Sequence, residues 1–103
     1  MNISITARKF KAHESLKDFI TGEVSSLKKY NDDIMNADVI LSYQNVKDSI
    51  KKVEITVQVP GQTLNAAENS DDFKKSISST VDKLSRQLQK LKTKRTSQRN
   101  NEH

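Results

Sequence analysis

A two-layer α+β domain, with two helices packed on one face of a four-stranded sheet, is the fold this sequence predicts. Three observations predict it. Apolar residues alternate with polar ones in four short stretches, and they recur at steps of three and four in two longer ones. The order is strand, helix, three strands, helix (β-α-β-β-β-α). Each helical stretch carries a single apolar stripe, so both must bury it against the same sheet face.

The first strand is "NISITA", with Ile3, Ile5 and Ala7 on one face and Ser4 and Thr6 on the other. "RKFKAHES" follows as a basic connection whose end, or Ser15, can cap the first helix. Residues 14 to 30 form that helix on the stripe Leu16, Phe19, Ile20, Val24 and Leu27. Gly22 inside it costs about 1 kcal/mol relative to Ala, which five large apolar side chains override. "YNDDIMN" ends the helix. "ADVILSYQ" is the second strand, with Ala37, Val39, Leu41 and Tyr43 inward, and Asp48-Ser49 is the expected tip of the next turn. "IKKVEITVQV" puts Val53, Ile55, Val57 and Val59 inward, and Pro60-Gly61 then marks a tight turn. "QTLNAAE" brings Leu64 and Ala66 to the same side. The one-sided middle strands imply an antiparallel sheet with one solvated face.

The second helix spans residues 71 to about 95, on the stripe Phe73, Ile77, Val81, Leu84, Leu88 and Leu91. Ser70 or Asp71 can cap it, and Asp72 in its first turn suits the positive end of the helix dipole. The two helices should lie side by side on the sheet. Residues 1 to 95 make one domain, and the tail 96 to 103, "TSQRNNEH", is expected to be disordered.

Charge is unevenly distributed. Residues 74 to 103 carry nine basic and two acidic side chains, a net of +7, while residues 1 to 73 have a net of −2. At about 100° per residue, Lys83, Gln87, Lys90 and Lys94 fall on one flank of the second helix, with Arg86 just outside them. Lys74 and Lys92 fall on the opposite flank. The ridge Lys83, Arg86, Lys90, Lys94 is roughly 16 Å long at 1.5 Å per residue, enough for several phosphates. Arg86 can fork onto a phosphate, whereas lysines act as point charges. Hydroxyls and amides of Ser26, Ser79, Gln87 and Gln89 can assist. The plainer reading is a solvated helix face with an ordinary i,i+4 pair between Asp82 and Arg86.

Other classes are disfavoured. There is no cysteine, hence no disulfide and no thiolate metal site. No stretch is apolar enough for a signal peptide or membrane span, so a cytoplasmic protein is expected. The absence of tryptophan and the few spare aromatics argue against a membrane face. His13 and His103 are the only histidines, no catalytic motif is present, and Asp32-Asp33 reads as a turn. No enzyme activity, cofactor, metal or small-molecule substrate is expected. Phe10 is the one aromatic without an obvious core role; it either caps the core edge or stacks on a base. Without a DNA-reading motif, folded or double-stranded RNA fits better than specific DNA, because RNA shape is read through phosphates and 2′-hydroxyls. A general structured-RNA module and a module for an acidic protein partner are the alternatives.

The second helix has a more specific signature. "LNAAENSDDFKKSISSTVDKLSRQLQKLKTK", residues 64 to 94, resembles the ribosome hibernation promoting factor and protein Y family. The resemblance rests on Asp82, Lys83, Leu84, Arg86, Gln87, Leu88, Lys90 and Lys92. "MNISITARKF", "LKDFI" and "DVILSY" extend it to residues 1 to about 95. It implies a fold similar to double-stranded-RNA-binding domains. It also implies binding to small-subunit rRNA within the 70S ribosome, at the decoding region, where mRNA and the A- and P-site tRNAs are blocked. Translation would be silenced sterically, by a protein that is a monomer in isolation. By the same resemblance Lys83, Arg86, Lys90, Lys92 and Lys94 contact rRNA, with Lys74, Lys28 and Lys29 as further contacts. Lys74 stands where the family usually has Tyr, and Ser78 where it has Asp. Glu23 and Ser26 fall where relatives often carry lysines, so the first helix supplies less charge. The length matches the family's short forms, which lack a second dimerising domain.

Overall fold

The elements follow in the expected order: β1 (Asn2–Ala7), α1 (Glu14–Ser25) with a short 3-10 helix (Ser26–Lys29), β2 (Asn36–Tyr43), β3 (Lys51–Val59), β4 (Gln62–Ser70) and α2 (Phe73–Asn101). The computed structural model describes residues 1–44 and 50–101, with side chains as far as residue 91. The expected turn tip at Asp48-Ser49 lies outside the described residues.

Alternation builds one apolar sheet face. The strands lie in the order β1-β2-β3-β4, and the register aligns Ile5 with Val39, Val39 with Ile55, and Ile55 with Ala66. Val39, Leu41, Val53, Ile55 and Val57 are fully buried there. The stripes of both helices close over this face. Ile20, Val24 and Leu27 do so from the α1 segment, and Ile77, Leu84 and Leu88 from α2. Burying one such side chain is worth roughly 1.5–3 kcal/mol, which outweighs the single exposed glycine at position 22.

The sheet is mixed, not antiparallel throughout. β2, β3 and β4 form an antiparallel meander, but β1 pairs with β2 in parallel. The reason is the connection: α1 carries the chain back across the sheet before β2 begins, which a hairpin cannot do. Alternation alone does not distinguish the two pairings when one face is solvated.

Three element ends differ from expectation. α1 stops at Ser25 and tightens into the 3-10 turn, where the Ser26 hydroxyl donates to Glu23 O at 2.6 Å. His13, not Ser15, is at its N-cap, and no side chain bonds there. α2 starts at Phe73, so Asp72 is the capping residue: the Lys74 N–H donates to Asp72 Oδ1 at 2.9 Å. Ser70 supports that turn by accepting the Asp72 N–H at 3.2 Å. At its other end the α2 backbone stays helical to Asn101, beyond the expected stop near residue 95.

The α2–sheet seam contains buried polar groups, each with a partner. The Ser76 hydroxyl donates to Lys51 O at 2.8 Å, and the Thr80 hydroxyl donates to Ser76 O at 2.7 Å. Among the described residues no buried side-chain polar atom lacks a partner.

Candidate nucleic-acid interface

α1 and α2 run side by side and in the same direction. The Lys74 ammonium sits 5.5 Å from the Phe19 ring centroid, and one turn further on the Ser78 hydroxyl donates to Glu23 Oε1 at 2.8 Å. Both cross-helix pairs have the same sequence offset, as parallel helices in fixed register require. Continuing that register brings the exposed Lys28 and Lys29 of the 3-10 turn beside the middle of α2. An open groove between the helices is lined by Phe19, Ser70, Lys74, Lys75, Ser78 and Ser79. Its lining combines an aromatic ring with hydroxyls and ammonium groups, a chemistry suited to phosphate and ribose.

The opposite flank of α2 leans over the edge of β4. Lys83 pairs with the Glu68 carboxylate and approaches Ala67 O at 3.5 Å. Gln87 donates to Asn65 O at 3.2 Å. Asn65 and Ala67 are two apart, so their carbonyls share the free edge of the strand. The flank thus occupies acceptors that would otherwise be open to another strand. Glu68 continues the inward parity of Leu64 and Ala66, and Lys83 supplies its counter-charge.

The sequence-predicted contacts therefore fall into groups. Lys83 and Arg86 already hold carboxylates, Arg86 with Asp82 at 3.0 Å. Lys75 does the same with Asp71 at 3.3 Å. Lys28, Lys29, Lys74 and Lys90 are exposed and have no carboxylate in ion-pair range among the described residues. Lys92 and Lys94 lie on helical backbone, but their side chains are outside the described residues. The ion pairs do not close the surface. Arg86 and Asp82 have side chains 74% and 57% exposed, and exposed pairs are worth about 0–1 kcal/mol, less than a charge-assisted phosphate contact.

Among the assisting polar groups, Ser79 is exposed in the groove, while Ser26 and Gln87 are committed to backbone carbonyls. The Glu23–Ser78 and Lys83–Glu68 pairs were not visible as motifs, since they join distant segments. The one available signal was parity, which puts Glu68 on the inner face of β4. Phe10 caps the core edge, stacked on Phe73 with centroids 5.4 Å apart and edge-on to Tyr43 at 5.0 Å. Asp32-Asp33 sits in a turn closed by the Asp33 N–H donating to Asn31 Oδ1 at 2.7 Å. Among the described residues no group of ligating side chains could hold a metal, and no helix is long and apolar enough to cross a membrane.

Such a surface, cationic and built on the exposed backs of two helices over a sheet, defines a small α+β domain with an extended polar face. Residues 3–96 match the model of the Sigma 54 modulation protein / S30EA ribosomal protein family, and the chain belongs to that family. It is 30% identical over 97 residues to the ribosome hibernation promoting factor of Pseudomonas putida, covering 94% of this chain and 92% of that one. It is 31% identical over 97 residues to the ribosome hibernation promotion factor of Deinococcus radiodurans, covering 92% of this chain but 51% of that protein. The chain thus spans about half the length of some relatives and nearly all of another. Among solved structures, a ribosomal subunit interface protein from Coxiella burnetii superposes with a TM-score of 0.82 at 28% identity, covering 90% of this chain and 99% of that one. The N-terminal domain of Thermus thermophilus Protein Y gives a TM-score of 0.78 at 26% identity, covering 88% of this chain and 99% of that one.

Proposed function

We propose that this protein is a ribosome hibernation factor that binds the small ribosomal subunit through its two-helix face and silences translation by occupying the mRNA and tRNA positions of the decoding region. The observation that carries the reading is the set of exposed cations Lys28, Lys29, Lys74 and Lys90 on adjoining helices, none with a carboxylate in ion-pair range among the described residues, in a chain of this family. The role is steric. It requires no catalysis, cofactor or small-molecule substrate, and it operates in the cytoplasm on single or paired 70S ribosomes. Residues 1 to 95 are the ribosome-binding domain, a monomer in isolation, with a fold akin to double-stranded-RNA-binding domains. Lys83 and Arg86 join the contact by exchanging carboxylates for phosphates, and Lys92 and Lys94 extend the same helix.

Sedimentation through sucrose gradients with purified ribosomes tests this. The wild-type protein should travel with small subunits and 70S ribosomes at low salt and be released as salt rises. The logarithmic slope should be about −0.9 per neutralised duplex phosphate, or about −0.7 for single strands. Lys74→Glu with Lys90→Glu should abolish co-sedimentation while circular dichroism remains that of the folded protein. Normal co-sedimentation of that folded variant would reject the two-helix face. Equal affinity for any structured RNA would reject ribosome selectivity.

A further inference from the structure

The connection between β1 and α1, residues 8 to 13, is the basic segment that the two-helix face does not use. It is anchored at alternate residues, once through the backbone and twice through side chains. The Arg8 N–H donates to Leu41 O at 2.9 Å, the Phe10 ring stacks on Phe73, and Ala12 is buried at 8% exposure. The residues between them, Lys9, Lys11 and His13, are exposed. Lys9 adopts φ 65°, a left-handed conformation that costs a non-glycine residue roughly 1–2 kcal/mol and persists only where the surroundings fix it. The anchors on either side provide that constraint.

The result is three cations in four residues, Arg8, Lys9 and Lys11, held on a rigid loop. None has a carboxylate in ion-pair range among the described residues. The neighbouring acids are engaged elsewhere. Asp71 holds Lys75, Asp72 caps α2, and Glu14 stands in the first turn of α1, where the helix dipole favours it. Lys51 extends the patch. It is the register partner of Tyr43, and its ammonium lies 5.7 Å from that ring. Phe10 joins this patch to the start of α2, roughly 25 Å along the helix from Lys90 at 1.5 Å per residue.

We propose that the pinned loop carrying Arg8, Lys9 and Lys11 is a second RNA-contacting surface, which binds phosphates of a strand other than the one along α2. This rests on the ribosome-binding reading and adds a second site to it. A preordered loop loses little conformational freedom on binding, and unpaired cations give up no existing partner, so both usual costs of a phosphate contact are small. A solvated solubility patch would need neither the left-handed Lys9 nor the aromatic anchor.

The test is a neutral loop variant, Arg8→Gln with Lys9→Asn and Lys11→Gln, which keeps Phe10 and places at position 9 a residue that tolerates positive φ. Its thermal midpoint should stay near that of the wild type. Affinity for ribosomes and for a protein-free duplex RNA is then measured across a salt series, beside the wild type and the Lys74→Glu, Lys90→Glu variant. The expected result is a log–log salt slope shallower by about 2.7 units than that of the wild type, on both targets, for three lost duplex phosphate contacts at about 0.9 each. A slope and affinity equal to wild type would overturn the proposal while leaving the two-helix face intact. Loss on ribosomes with unchanged duplex-RNA binding would also overturn it, since the loop would then face an acidic protein. If the wild type itself failed to bind ribosomes, the underlying reading would fall first, and duplex-RNA binding would still judge the loop.

Discussion

Along the described part of α2, Lys75, Lys83 and Arg86 each face a carboxylate, whereas in the β1–α1 loop Arg8, Lys9 and Lys11 face none among the described residues. Counted from the sequence, the C-terminal third has the larger net charge. Counted among the described side chains by what is not already ion-paired, the loop holds three cations, Arg8, Lys9 and Lys11, and α2 holds two, Lys74 and Lys90. Formal charge and available charge differ because helical spacing places acids beside bases on α2. The pairs Asp71–Lys75 and Asp82–Arg86 are both four apart. The loop has no such repeat. Its cations point outward because the residues between them are tied to the core.

The largest expected effect comes from cutting that tie. Phe10→Ala removes the ring packed against Phe73 and Tyr43. Phe10 is only partly buried, so the loss should be about 2 kcal/mol, below the roughly 3–5 kcal/mol of a fully buried site. For a domain of this size that lowers the thermal midpoint by about 10 °C. Ribosome affinity, measured where the variant is still folded, should fall as well, because three cations lose their fixed positions. Reduced stability with unchanged affinity would show that loop order is irrelevant to binding and would erase the contrast with α2.

A smaller effect is expected at the β4 edge. Glu68→Gln releases Lys83, whose side chain is 51% exposed against 29% for Glu68. Stability should drop by less than about 1 kcal/mol. Ribosome affinity at low salt should rise a few-fold, because Lys83 no longer gives up a carboxylate to reach a phosphate. An unchanged affinity would assign Lys83 to guarding the edge of β4, not to the interface.

Why some of this was legible in the sequence and some was not follows from the range of each interaction. Alternation and helical steps are local, so Val39, Ile55, Ile77 and Leu84 are buried and Ile5 packs against them as expected. The Asp82–Arg86 pair is local too and was legible. The parallel pairing of β1 was not, because alternation is the same in either strand direction. Nor were Lys83–Glu68, Lys74–Phe19 or Glu23–Ser78, which join residues distant in sequence. The flank of α2 that read as one ridge from Lys83 to Lys94 splits in its described part: Lys83 and Gln87 reach β4, Arg86 pairs with Asp82 and Lys90 holds no carboxylate, while Lys74 faces α1. A helical wheel gives angles around one axis but not which neighbour occupies each angle. The groove between the helices could be expected from their packing, but the Phe19 ring in its lining could not.

The smallest effect separates a structural ion pair from a screening one. Asp82→Asn removes the carboxylate beside Arg86 and changes little else, since both side chains are mostly exposed. Stability should move by no more than about 0.5 kcal/mol, the size of an exposed i,i+4 pair. Ribosome affinity at low salt should rise a few-fold, because an incoming phosphate no longer competes with Asp82 for the guanidinium or meets its repulsion. The gain should vanish at high salt, where the exposed charges are screened. A gain that persists there would mean that Arg86 makes a desolvated contact, and the paired cations of α2 would then rank above the unpaired ones of the loop. A loss of affinity would mean that Asp82 itself accepts a hydrogen bond from the RNA, so that the acids of α2 read the target as well as hold its cations.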